Sequence, residues 1–141
     1  MRRLIIVGEA PGKIGISPTL PGLALTGNTG RHLADIAGWP FGLYLAQVDR
    51  RNLFYDVQPK WDVEKARAAA RRLEASFSGD KVILMGTRVA EAFGAIDRPL
   101  YEWWGDHYCN FARIPHTSGR NRVWNDPAER ARARAFLKPL I

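Results

Sequence analysis

Two ionisable residues lie just after predicted strands, where their side chains could do chemistry. Glu9 follows the apolar run Leu4–Val7, and His116 follows a second predicted strand and Pro115. A carboxylate in such a turn can orient or deprotonate a water molecule. An imidazole can act as an acid, a base or a hydrogen-bond donor near neutral pH. The competing interpretations are a loop glutamate paired with an arginine and an exposed loop histidine, and the local sequence leaves both open.

Asn52 is a third candidate because its amide group both donates and accepts hydrogen bonds. In a pocket, such a group would match the O4 atom and the N3–H group of a pyrimidine base. The alternative is a turn residue, which is the usual role of asparagine. The other histidines are weaker candidates: His32 is expected on the polar side of a helix, and His107 lies in an acidic, aromatic turn.

Two segments are candidates for binding phosphates. The first is the basic segment Gly119-Arg120-Asn121-Arg122, which Trp124 follows closely. Its arginines would contact a nucleic-acid backbone while a neighbouring side chain enters a groove. The second is a predicted helix start at Asn28 or Thr29, where backbone amides can hold an anion. For the basic segment the alternative is a surface loop that precedes a helix. For Asn28 or Thr29 the alternative is an N-cap residue that starts the helix without binding an anion.

Composition also favours a nucleic-acid partner. The 141 residues carry 21 Lys and Arg against 14 Asp and Glu, a net charge of +7. A strongly basic domain is typical of nucleic-acid binders, although a basic solvated surface is the alternative. The single cysteine, Cys109, excludes an internal disulfide and a multi-cysteine metal or iron–sulfur site. We expect one domain over residues 1–141, with no signal peptide, no membrane span and a cytoplasmic location.

These candidates must be positioned by strands and helices that alternate along the chain. Strands are predicted over residues 1–7, 52–57, 81–85 and 108–114, and helices start near Asn28 and at Asp62, Thr87 and Pro127. This alternation predicts an α/β fold: a three-layer αβα sandwich with a central, mainly parallel four-stranded sheet. The long Gly- and Pro-rich stretch over residues 8–27 is expected to be a working loop beyond the first strand.

The ordered set of motifs resembles the uracil-DNA glycosylase superfamily. Gly8–Gly12 reads Gly-Glu-Ala-Pro-Gly, which matches the first motif of a bacterial and archaeal branch at all five positions. The turn His116-Thr-Ser-Gly119 is similar to the family's His-Pro-Ser type turn, with Thr in place of Pro. Residues 27–33, Asn52–Phe54 and residues 81–90 also resemble family segments, in the same order along nearly the whole chain.

This resemblance implies a monofunctional DNA glycosylase that removes uracil or a related base flipped out of single- or double-stranded DNA. In that mechanism Glu9 positions the attacking water, His116 donates to the base O2 atom, and Asn52 reads the base. The implied base-binding residues are Gly8, Ala10, Pro11, Gly12, Leu25, Asn52 and Phe54. The implied DNA-binding residues are Asn28, Thr29, Ser118, Gly119, Arg120, Asn121 and Arg122. A monomer without metal or cofactor is expected.

The chain departs from the family pattern in two informative places. The branch with the same first motif holds an iron–sulfur cluster on four cysteines, whereas this chain has one cysteine. The Pro-Phe pair whose ring stacks on the base corresponds here to Ala24-Leu25, and Phe41, Tyr44 or Phe54 are candidate substitutes. Two alternatives follow: a module of the same fold that binds DNA or damaged bases without turnover, and an enzyme acting on free nucleosides, which the +7 charge disfavours.

Overall fold

A mostly parallel β-sheet forms the centre of the fold. The computed structural model describes residues 3–10, 25–54, 60–106 and 108–141. Within these ranges the strands are β1 (Leu4–Gly8), β2 (Val48–Asn52), β3 (Asp80–Met85), β4 (Trp104–Gly105) and β5 (Cys109–Ile114). They lie in the order β2-β1-β3-β5-β4. The first three pairings are parallel, and only β4 runs antiparallel to its neighbour β5. Four parallel strands are therefore present, as predicted in number, and β4 is an additional edge strand.

Helices cover both faces of the sheet, which confirms the predicted three-layer arrangement. They are α1 (Asn28–Ala37), α2 (Phe41–Gln47), α3 (Val63–Glu74), α4 (Thr87–Ala92) and α5 (Pro127–Leu137), with 3₁₀ turns at Arg122–Asn125 and Lys138–Leu140. Side chains of β1 alternate between the two faces. Leu4 and Ile6 lie in the core beneath α1, α2 and α5, whereas Ile5 and Val7 lie in the core beneath α3 and α4.

The predicted position of the second strand was wrong. It was expected over residues 52–57, but β2 covers Val48–Asn52, and residues 55–57 lie outside the described part of the chain. The apolar pattern missed β2 because its middle residues are charged. β2 lies at a sheet edge, where Asp49 accepts from Arg3 at 2.9 Å and from Arg51 at 2.7 Å. Asn52 therefore ends the strand instead of beginning it.

At α3 the N-cap is Asp62, where a helix was predicted to start. Asp62 accepts from two backbone amides of the first turn of α3, at 3.1 and 3.2 Å. Asp126 caps α5 by accepting from the Ala128 amide at 2.9 Å. At α1 the N-cap is Gly27, and no side chain caps the helix, so the expectation that Asn28 or Thr29 would do so was wrong. Both residues lie inside the first turn.

The strand order places a switch point between β1 and β3. The chain passes from β1 to β2 on one side and then returns past β1 to β3 on the other. In open α/β sheets, ligands bind beyond the carboxyl ends of the strands at such a point. The last residues of the four parallel strands are Gly8, Asn52, Met85 and Ile114. None of the helices in the described ranges is long and apolar enough to span a bilayer.

An ion pair between the half-exposed Arg3 and the buried Asp80 lies at the opposite end of β3. The Asp80 carboxylate is 2% exposed and accepts from Arg3 Nε at 3.2 Å, Arg3 Nη2 at 3.0 Å and the Ser78 amide at 2.8 Å. Burial acts to raise the pKa of Asp80, but the Arg3 and Ser78 hydrogen bonds and the Arg3 charge outweigh it. The pKa therefore lies below its ordinary value of 3.8.

Asp80→Asn is expected to lower the free energy of unfolding by about 1–3 kcal/mol at neutral pH, because charge-assisted hydrogen bonds to a buried acceptor weaken. Asp80 stabilises the fold fully above its ordinary pKa, and this stabilisation is lost as the pH falls through its lower folded-state value. The difference from wild type should therefore shrink in strong acid. Urea unfolding between neutral and acidic pH measures it, and Asp97→Asn, at an exposed position, is the matched control.

Candidate active site

The structure brings Glu9, Asn52 and His116 to the end of the sheet at which its parallel strands finish. Glu9 follows the last residue of β1, Asn52 ends β2, and His116 lies two residues after β5. Gly8 and Asn52 are paired in register across β1 and β2. The charge of Glu9 is close enough to His116 to act on its pKa. The three residues therefore lie at or just after the carboxyl ends of three parallel strands, although the sequence analysis had placed Asn52 at the start of its strand.

The Asn52 amide lies against the backbone of Gly8. A Cβ atom on Gly8 would lie 2.8 Å from Asn52 Oδ1 and 2.9 Å from Leu25 Cδ2, so only glycine fits between them. The Asn52 residue is 6% exposed, and its Oδ1 atom is buried without a hydrogen-bond partner among the described residues. An unsatisfied buried acceptor costs about 1–3 kcal/mol. A ligand N–H group at this position would remove that cost.

Leu25 is held beside Gly8 in a strained conformation. Its φ of 54° lies in the left-handed region, which is unfavourable for a leucine. Its carbonyl oxygen accepts from the Tyr44 hydroxyl at 2.8 Å, and a Cβ atom on Gly30 would collide with that carbonyl. The aliphatic Leu25 side chain therefore occupies the site at which the family resemblance implied a base-contacting residue.

The three aromatic candidates for base stacking have other neighbours. The Tyr44 ring is fully buried and stacks between Trp39 and Phe41, with centroids 6.2 and 5.7 Å away. Phe41 also carries the Arg31 guanidinium 4.2 Å from its centroid. The Phe54 ring belongs to the core beneath α3 and α4, although its amide donates to the Glu9 carbonyl at 3.1 Å. That Phe41, Tyr44 or Phe54 stacks on a base stays a prediction.

Glu9 is oriented by an arginine that the sequence analysis did not single out. Glu9 Oε2 lies 3.3 Å from Arg88 Nη1, and the side chains are 29% and 57% exposed. The Arg88 guanidinium lies 5.5 Å from the centre of the Trp61 ring, and the Trp61 indole donates to Glu91 at 2.9 Å. The arginine pairing considered for Glu9 is therefore real. An exposed pair of this kind adds little stability and leaves the carboxylate accessible.

His116 is arranged as a neutral hydrogen-bond donor. Its Nδ1 atom accepts from the Ser118 amide at 3.0 Å, which places the proton of the neutral ring on Nε2. Burial lowers the pKa of His116 below its ordinary value, and the nearby Glu9 charge opposes that shift. The ring lies against Gly86, whose φ is 97°; a Cβ there would lie 3.3 Å from His116 Cβ and Cδ2. Gly8 and Gly86 therefore allow the Asn52 and His116 side chains to pack directly against the backbone.

The residues after His116 divide into structural and exposed groups. The Asn121 side chain donates to the His116 carbonyl at 2.9 Å and caps the following 3₁₀ turn by accepting from Val123 at 3.2 Å. Gly119, Arg120 and Arg122 are exposed and Ser118 is half-buried, so this part of the predicted phosphate-binding segment is accessible. The Thr29 carbonyl accepts from the Thr117 hydroxyl at 3.0 Å, which joins the two predicted DNA-binding segments.

Besides Arg88, sequence reasoning missed the contact between Thr117 and His32 at the site. Thr117 is fully buried, and its carbonyl lies 2.7 Å from His32 Nδ1. The expectation that His32 would be an uninvolved residue on the polar side of α1 was wrong, because that side of the helix is covered by α5 and the histidine turn. The contact joins residues 85 positions apart, and no local pattern indicates it.

Two predicted site residues, Pro11 and Gly12, lie outside the described ranges. So do Ala24, His107 and most of the expected working loop over residues 8–27. Ala10 is described and packs against the core beneath α3 and α4. Asn28 is exposed at the start of α1.

Comparison with known proteins finds no matching family model and no matching curated protein. Within the described ranges, no group of three or more His, Cys, Asp or Glu side chains could hold a metal ion. A function must therefore be inferred from the site itself: a carboxylate, a neutral imidazole donor and a buried amide acceptor at one sheet edge.

Proposed function

We propose that this protein is a monofunctional DNA glycosylase, which hydrolyses the N-glycosidic bond of uracil or a related damaged or modified base in base excision repair. The observation that carries the proposal is the convergence of Glu9, Asn52 and His116 at the carboxyl ends of three parallel strands. Each supplies a different group that this hydrolysis requires. The family resemblance implied the same roles for the same residues.

The buried Asn52 amide supports recognition of a flipped base. Its unpaired Oδ1 atom would accept from the N3–H group of uracil, while Nδ2 donates to the O4 atom. Flipping a nucleotide out of the duplex costs a few kcal/mol. Satisfying an acceptor that has no partner among the described residues would offset part of that cost.

His116 and Glu9 support the chemical step. As the C1′–N1 bond breaks, its electron pair moves onto the base, and negative charge develops at the base O2 atom. The His116 Nε2–H group would stabilise that charge by hydrogen bonding. A water molecule oriented by Glu9 would form the new bond to C1′, and its proton leaves through the carboxylate. Arg88 holds one Glu9 oxygen and leaves the other to bind water.

The exposed Arg120 and Arg122, together with the net charge of +7, support DNA as the partner. The protein would act as a cytoplasmic monomer on single- or double-stranded DNA.

One observation favours a second candidate, a damaged-base-binding module without turnover. Leu25 offers an aliphatic surface beside Gly8, where the family pattern has an aromatic ring.

The test is a panel of single- and double-stranded oligonucleotides that contain uracil, 5-hydroxymethyluracil or hypoxanthine. Abasic sites are detected by alkaline cleavage and gel electrophoresis, and DNA affinity is measured against salt by fluorescence anisotropy. Excision of at least one base supports the glycosylase. Salt-sensitive DNA binding without excision supports the binding module, and failure of both contradicts the two candidates.

Asn52→Leu is expected to slow base excision without lowering the stability of the fold. It removes a buried unpaired acceptor, so the free energy of unfolding should stay unchanged or rise by about 1 kcal/mol. Excision should fall roughly 10- to 200-fold, because the hydrogen bonds to the base edge are lost. Urea unfolding and single-turnover excision measure the two quantities. A variant that is destabilised and fully active would contradict the proposed role of Asn52.

A further inference from the structure

The turn that carries His116 is clamped from α1 at a single buried residue. Thr117 has no exposed surface, and its hydroxyl lies 3.0 Å from the Thr29 carbonyl and 3.2 Å from Met85 Sδ. Its carbonyl oxygen lies 2.7 Å from His32 Nδ1. The hydroxyl and the carbonyl of Thr117 therefore both contact residues of α1, Thr29 and His32.

The protonation of His32 follows from its second contact. His32 Nε2 lies 3.1 Å from Arg130 Nη2, and a guanidinium can only donate, so Nε2 accepts. The proton of the neutral ring is then on Nδ1, from which it is donated to the Thr117 carbonyl. Arg130 is itself anchored, because its Nε donates to the Trp124 carbonyl at 2.8 Å. Trp124 in turn donates from its indole to the His116 carbonyl at 2.8 Å.

The Thr117 carbonyl and the Ser118 amide belong to one planar peptide group. His32 binds the oxygen at one edge of this peptide group, and His116 Nδ1 accepts from the N–H at the opposite edge at 3.0 Å. Fixing the carbonyl therefore fixes the direction of the N–H. A hydrogen bond accepted by a peptide oxygen also polarises the group and strengthens its N–H as a donor.

We propose that His32 is a positioning residue that sets the tautomer and orientation of His116 through the Thr117–Ser118 peptide. His32 donates to the peptide, the peptide donates to His116 Nδ1, and the His116 proton is thereby kept on Nε2, the atom that faces away from the turn. The consequence for catalysis rests on the proposed function. The consequence for the ring tautomers is independent of it.

The first test is the wild-type protein labelled with ¹⁵N-histidine and studied by NMR at a pH of about 8, where ordinary histidines are neutral. The chain has three histidines, so single substitutions assign each signal. We expect opposite tautomers, with His32 protonated on Nδ1 and His116 on Nε2. Protonation of His116 on Nδ1 would overturn the proposal without any variant.

The second test compares two polar substitutions of His32. Asparagine places an amide near the position of Nδ1 and keeps a donor for the Thr117 carbonyl. Glutamine reaches the position of Nε2, so it keeps the Arg130 contact and loses that donor. In His32→Asn the His116 ring should stay protonated on Nε2, whereas in His32→Gln its signals should become an average of both tautomers. Thermal unfolding checks that both variants are folded.

The kinetic readout uses single-turnover excision on the best substrate of the oligonucleotide panel. In His32→Gln the maximal rate should fall about 10- to 100-fold with little change in the half-saturating DNA concentration, and His32→Asn should stay near wild type. An unchanged His116 tautomer in His32→Gln overturns the proposal whatever the activity. Tautomers that change as expected in a protein without excision would support it and contradict the proposed function instead.

Discussion

Replacing Glu9 by glutamine is expected to slow base excision by about 10²- to 10⁴-fold, the usual contribution of a positioned acid or base. Glutamine keeps the shape of the side chain but cannot take a proton from the attacking water. The backbone of Glu9 should not move, because the Gly8 and Glu9 carbonyls accept from Leu53 and Phe54 at 2.9 and 3.1 Å. Single-turnover kinetics with saturating protein measure the chemical step directly.

Glu102→Gln is the matched control for this substitution. It makes the same chemical change and the same change in net charge at an exposed position. Excision by this variant should stay within about twofold of wild type, since surface substitutions usually change little. DNA affinity should be equal in both variants. If Glu9→Gln excises as fast as Glu102→Gln, the Glu9 carboxylate does not take the proton of the attacking water.

Apolar runs predicted two strands well because both of their faces are buried. β1 and β3 are central in the sheet, so Ile5, Ile6, Val82 and Ile83 must all be apolar. The edge strand β2 obeys a different rule. Asp49 pairs with Arg3 and Arg51, Arg50 donates to backbone carbonyls, and backbone pairing with β1 defines the strand. Periodicity does not detect a strand of that kind.

The candidate site was predictable where it depends on strand ends and unpredictable where it depends on distant contacts. Glu9 and His116 each follow an apolar strand, so their place at the sheet edge follows from sheet geometry. The roles of His32 and Arg88 depend on residues 85 and 79 positions away. Helical periodicity assigned His32 to solvent because it describes one helix at a time. The packing of α5 against α1 decides which polar positions are covered.

Replacing His116 by alanine is expected to slow excision by about 10²- to 10³-fold, the usual effect of losing one donor to a developing anion. His116→Gln is the informative companion, because its amide can reach the position of Nε2 and donate from there. It should retain more activity than the alanine variant. Equal losses in both would indicate that the imidazole acts by a proton transfer that an amide cannot perform.

The pH dependence of stability gives a second readout of His116 that needs no substrate. Because burial lowers its pKa in the folded state, the unfolded chain takes up the proton first as the pH falls below the ordinary value of 6.5. The folded protein therefore loses stability in that range until the pH also falls below the lowered pKa of His116.

His116→Ala removes this linkage, so its free energy of unfolding should decline less than that of wild type between pH about 7 and 5. The other two histidines are common to both proteins, so the difference between the two curves isolates His116. Parallel curves would mean that His116 titrates equally in the folded and unfolded states, and burial would then not favour its neutral form.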